Sequence, residues 1–265
     1  MGRVRRLAGS RRVRIGLNAL FISIALAVLT LSGTATVAQY EAALRSVTYY
    51  DASDTPTTTT RTIDFSATST NSQVINGTLA TVTVTAADDS PVLNDGIVVT
   101  MPNQVEDALG APSGAVGFLA SSLVGNGTGP GNVSDPDGPS TVASLAGMAI
   151  TTADTSQGNW WYSTDNGANW TQFSSSSLAA VSNANALHLV ADANTRLYFQ
   201  PKTTDWNGTI ANALTFRAWD QYSPTTPIAN GTLANIGSSG FGTGINTAAS
   251  AYSSATETLS LTVNP

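Results

Sequence analysis

The stretch Thr83-Val84-Thr85-Ala86-Ala87-Asp88-Asp89-Ser90-Pro91-Val92-Leu93 decides how the chain is read. It opens as the end of a threonine/valine strand. Two adjacent carboxylates follow, then Pro91, which has no N–H to give a ladder and so ends the strand. The chain resumes with an apolar pair and the turn Asn94-Asp95-Gly96. Two readings fit: an ordinary acidic turn, or the seam of tandem β-modules, with carboxylates crowded at the pole where one module gives way to the next. A hard cation suits such a place, because it takes many oxygen ligands.

Outward from that stretch, the patterning is β throughout. On the N-terminal side, Leu44–Tyr50 and Arg61–Thr68 alternate, and Leu79, Val82 and Val84 mark a third strand. Three strands make half a sandwich and leave an apolar face open. On the C-terminal side, strands are expected at Ile97–Met101 and near 147–153, 158–163, 169–173, 186–190, 195–200 and 213–220. A low-complexity loop over about 222–250 then precedes a last strand at Thr256–Val263. Short strands with Gly/Asn/Asp turns predict two packed antiparallel sheets. No long amphipathic helix is expected.

Charge separates the ends of the chain. Six of the eleven basic residues lie in the first fourteen positions, followed by the apolar run 15–31 and the small residues Ser32–Ala38. That order predicts a signal peptide cut after Ala38, or an uncleaved membrane anchor. Both place residues 39–265 outside the cytoplasm. There, five basic residues face seventeen acidic ones, a formal charge of −12 that repels nucleic-acid phosphate. Fourteen of the acids are Asp, the acid favoured in turns and metal loops. The absence of cysteine excludes disulfides, thiolate metal sites and cysteine nucleophiles.

Sliding Leu44–Thr68 by 151 positions places Arg45, Asp54, Thr58, Phe65 and Ala67 on Arg196, Asp205, Thr209, Phe216 and Ala218. Five identities in strand, loop and strand point to two related modules. The expected organisation is a leader at 1–38, a partial module at 39–90 and a full module at 91–265.

Several runs carry a family resemblance. They are Leu44-Arg45-Ser46-Val47-Thr48-Tyr49, Arg61-Thr62-Ile63-Asp64-Phe65, the Asp88–Leu93 junction, Ser134-Asp135-Pro136-Asp137, Trp161-Tyr162-Ser163-Thr164-Asp165, Arg196-Leu197-Tyr198-Phe199 and Leu214-Thr215-Phe216-Arg217-Ala218-Trp219-Asp220. Together they resemble the cadherin-like repeats of large bacterial surface adhesins. The resemblance implies an all-β, immunoglobulin-like antiparallel sandwich, calcium at module junctions and non-enzymatic adhesion at the cell surface. Its partners would be a surface ligand or neighbouring adhesin copies, with membrane contact only through an uncleaved leader. It also implies that Asp88 and Asp89 share a Ca2+ ion with Asp135 and Asp137, and that Glu106 and Asp107 are the acidic pair meeting a following junction. The family's Asn-Asp-Ala-Pro reads Asp88-Asp89-Ser90-Pro91 here, and Ala87 offers no side-chain oxygen.

Other chemistry has thinner support. Ser163, Asp165, Gly167 and Trp170 form an Asp-box, a hairpin device in which Asp caps backbone donors and Gly takes the left-handed position. An alternative function, carbohydrate binding, would use Trp160 or Trp206 as a stacking face. His188 is the only histidine, and no serine sits in a nucleophile elbow, so no hydrolase constellation emerges.

Overall fold

A computed structural model of the chain describes residues 12–14, 21–22, 28–32, 35–68, 73–107, 110–125, 129–137, 146–176, 178–222, 228–237 and 250–265. The protein is all-β apart from one α-helix and one 3-10 turn among the described residues. It divides into two compact units, Met1–Ala86 and Ala87–Pro265, so Asp88 and Asp89 belong to the second.

The first unit holds strands β1 (Arg12–Arg14), β2 (Phe21–Ile22) and β3 (Val28–Thr30), helix α1 (Val37–Arg45), then β4 (Thr48–Tyr49), β5 (Arg61–Ile63), β6 (Ser66–Thr68), β7 (Val74–Asn76) and β8 (Ala80–Val82). All pairings are two-stranded: β1 with β3, β2 with β4, β5 with β8 and β6 with β7. No described side chain of this unit is buried. The strand expected at Leu44–Tyr50 is corrected: Leu44 and Arg45 end a helix, and only Thr48–Tyr49 is extended. The cause is a capping box, in which Thr36 accepts from the Gln39 N–H while the Gln39 side chain accepts from the Thr36 N–H. This helix crosses the expected cleavage point. The apolar run 15–31 lies largely outside the described residues, among which no helix is long and apolar enough to cross a membrane.

The second unit contains β9 (Val92–Leu93), β10 (Gln104–Val105), β11 (Phe118–Leu119), β12 (Val133–Ser134), β13 (Gly147–Ala153), β14 (Gly158–Ser163), β15 (Thr171–Ser174), β16 (Ala186–Val190), β17 (Arg196–Pro201), β18 (Gly208–Trp219), β19 (Thr232–Ala234) and β20 (Glu257–Asn264). A six-stranded sheet runs β10-β20-β18-β13-β16-β19, and a four-stranded one runs β11-β17-β14-β15. Met148, Phe216 and Leu259 of the first sheet join Trp160, Phe173 and Phe199 of the second in one buried core. Burying each such side chain contributes about 1.5–3 kcal/mol. β20 shows the pattern plainly, with Glu257, Leu259, Leu261 and Val263 buried and the intervening residues more exposed. Ile97–Met101, expected as a strand, joins no ladder among the described residues; the Ile97 N–H instead closes a turn onto the Asn94 carbonyl, and Met101 is buried. The expected loop 222–250 contains β19, which pairs with β16; residues 223–227 and 238–249 lie outside the described ones.

Candidate metal centre

Pairing of β9 with β12 builds the site. Leu93 lies opposite Val133 and Val92 opposite Ser134. Continuing that antiparallel register carries residues 135–137 alongside 91–89. The Asp89 N–H donates to Asp137 Oδ2 at 2.5 Å, and the Asp137 N–H donates to Asp135 Oδ1 at 3.0 Å. The second bond is an Asx turn, the reason aspartate suits this bend. The Asp88-Asp89 stretch and the Asp-Pro-Asp loop therefore meet, and they do so within the second unit.

A fifth aspartate, not expected from the sequence as a ligand, joins them. Asp220 follows the last residue of β18, and its Oδ1 accepts from the Tyr222 N–H at 2.7 Å. Burial pushes its carboxyl up to about 8, with the charges of Asp88, Asp135 and Asp137 adding to the rise. Asp88 is pushed up to about 7, first by burial and then by Asp137, Asp135 and Asp89. Asp135 is also raised by burial, partly offset by the bond from Asp137. Buried oxygens Asp88 Oδ2, Asp137 Oδ1 and Asp220 Oδ2 have no hydrogen-bond partner among the described residues. Buried acceptors without donors are costly, and mutually repelling ones more so. A divalent cation would relieve both costs. No three acidic or imidazole groups among the described residues stand in closed coordinating geometry. The contacts that bring these aspartates together are pairwise: Asp89 with Asp137, Asp137 with Asp135, and the charges of Asp88, Asp135 and Asp137 on Asp220.

Glu106 and Asp107 lie at the other end of β18. β10 pairs with the C-terminal end of β20, where Val263 also faces Gly208, the first residue of β18. Twelve residues of strand separate that end from Asp220, about 40 Å at strand rise. Glu106 Oε2 accepts from Asn207 Nδ2 at 2.7 Å, and Asp107 is exposed.

The Asp-box forms a hydrogen-bonded hairpin turn. Asp165 Oδ1 accepts from the Asn169 N–H and from Ser163 Oγ, both at 2.8 Å, and these bonds hold its carboxyl below the usual range. Gly167 has φ +88°, and Trp170 donates to the Gly114 carbonyl at 3.1 Å.

Trp160 is corrected as a sugar platform. It is 0% exposed, its ring tilts against Phe199 at 5.0 Å, and its Nε1–H donates to the Asp154 carbonyl. Strand alternation turns it into the core and leaves its neighbour Trp161 on the outer face. Trp206 is partly buried, edge-on to Phe199 at 6.4 Å. His188 is fully buried; its Nε2 meets Tyr252 Oη at 2.9 Å and its Nδ1 faces the Ala186 and Thr232 carbonyls. Burial lowers its pKa to about 4, which keeps the ring neutral with Nδ1–H donating and Nε2 accepting. Set against family models, curated proteins and solved structures, the chain matches none.

Proposed function

We propose that this is an exported, non-enzymatic, cadherin-like protein that binds Ca2+ at Asp88, Asp89, Asp135, Asp137 and Asp220 and serves adhesion or spacing at the cell surface. The carrying observation is the meeting of those aspartates, three of which each hold a buried carboxylate oxygen without a hydrogen-bond partner among the described residues. A sandwich of immunoglobulin-like kind is supported by two sheets sharing one core. The strand order is distinctive, since β18 and β20 lie beside β13 and β16 in one sheet. The basic, apolar and small-residue order of positions 1–38 supports export. Neighbouring copies or a surface ligand are the partners this reading implies.

Thermal melts of the purified protein at pH 8 test the metal reading. With an affinity of ~10⁻⁴–10⁻³ M, usual for extracellular modules, 10 mM Ca2+ should stabilise by about 1.4–2.7 kcal/mol over a chelated sample. That is a rise of several degrees. An unchanged melting temperature overturns the reading.

A further inference from the structure

The outer face of the four-stranded sheet carries chemistry that the calcium reading does not use. Leu197 and Phe199 of β17 and Trp160 of β14 point into the core. Their neighbours therefore point outward: Arg196, Tyr198 and Gln200 on β17, and Asn159 and Trp161 on β14. The register sets Trp161 between Tyr198 on one side and Gln172 of β15 on the other, with Asn159 beside Gln200 in the next row. Tyr198 is itself covered, only 8% exposed, with Trp170 edge-on to it at 6.0 Å, so Trp161 is the aromatic side chain of this row that reaches solvent. The Trp161 indole is held in place, its Nε1–H donating to Gln200 Oε1 at 2.9 Å, and it is partly exposed. The side-chain amides of Asn159 and Gln172 make no hydrogen bond within the described residues, although both are partly exposed on this face.

We propose that this face binds a neutral polysaccharide, with Trp161 as the stacking platform and Asn159, Gln172 and Gln200 as partners for sugar hydroxyls. The outward positions of this sheet hold no carboxylate, and their one aliphatic side chain is Leu119 of β11, beside Arg196 at the edge. A protein partner would be expected to meet aliphatic anchors or paired charges there. A sugar ring offers C–H groups to an indole face and hydroxyls to amides. The one charged group, Arg196, lies at the edge of the face and is held by Asn166 Oδ1 at 2.6 Å, so the face carries a single positive charge although the rest of the body is acidic. None of its residues belongs to the aspartate cluster, and binding needs no metal.

Native gels cast with barley β-glucan, xylan or dextran read the interaction as slowed migration of the full chain, in calcium and in chelator. At least one polysaccharide should retard the protein equally in both, and Trp161→Ala should weaken retardation about tenfold, the usual scale of one lost stacking contact. Should that variant fail to fold by circular dichroism, the Asn159→Ala/Gln172→Ala double variant replaces it, because both side chains leave the core untouched. Failure of all three polysaccharides overturns the proposal, as does retardation that survives unchanged in the folded variant. Retardation abolished by chelator assigns the sugar to the aspartates and overturns it too, whereas the calcium reading is judged by the melts alone.

Discussion

Asp220 shows what a single side chain does at this end of the molecule. Its Oδ2 is buried among carboxylates without a donor. In Asp220→Asn, Oδ1 still accepts from Tyr222, and the new amide can donate to a neighbouring carboxylate. Without calcium at pH 8 the variant should therefore melt higher than the native protein. Its calcium affinity should fall about tenfold or more, since a charged ligand is lost. Opposite signs in the two titrations are the signature, and an undiminished calcium response removes Asp220 from the ligand set. The raised carboxyls also fix the direction of the pH effect. Asp88 and Asp220 hold protons in the folded state up to about 7 and 8, protons that the unfolded chain has released above its usual 3.8. Metal-free stability due to these groups is full below that value and is lost as pH climbs toward 8. Calcium needs the deprotonated form, so its stabilising effect should grow over the same interval. The first four aspartates were legible in the sequence because Asp-Asp-Ser-Pro and Asp-Pro-Asp are local turn signals. Asp220 was not, because Ala218-Trp219-Asp220 reads as the end of a strand. Its place beside Asp88 comes from pairing between residues far apart in the chain.

At the level of elements, strong alternation was readable and weak alternation was not. β14 and β20 fall where alternation puts them, each burying one face in the core, whereas β13 and β16 read as short apolar runs because both of their faces are buried. Helix α1 was missed because its capping box, Thr36 to Gln39, sits among the small residues read as a cleavage site. Ile97–Met101 alternates in burial without a partner strand, so periodicity alone overstated it. The β14–β17 pair also explains a demand for glycine. A Cβ on Gly158 would press into the Phe199 ring and the Gln200 carbonyl of the facing strand. Gly158→Ala should therefore cost about 1–3 kcal/mol, the usual penalty of overpacking. Chemical denaturation checks this, and a midpoint equal to the native one would mean the two strands stand farther apart than described.

On the scale of the whole chain, stability is unevenly placed. Buried side chains among the described residues all belong to Ala87–Pro265, while the first unit is built of two-stranded pairs that are marginal in water by themselves. A fragment spanning 87–265 should thus unfold cooperatively at nearly the melting temperature of the full protein, by calorimetry. A drop of ten degrees or more would show that Met1–Ala86 contributes substantially to the fold. The repeat between Leu44–Thr68 and residues 195–219 suggested related modules, and composition could not tell that the first copy would bury nothing. Within the second unit, β18 and β20 run antiparallel over most of their length, with Asp220 near one end of the ladder and Pro265 at the other. Ser250 donates to Ser90 Oγ, which fixes the incoming chain at the aspartate end. A pull between Ala87 and Pro265 consequently runs along these strands and strains their hydrogen bonds in shear, so that they resist tension together instead of parting one by one like a zip.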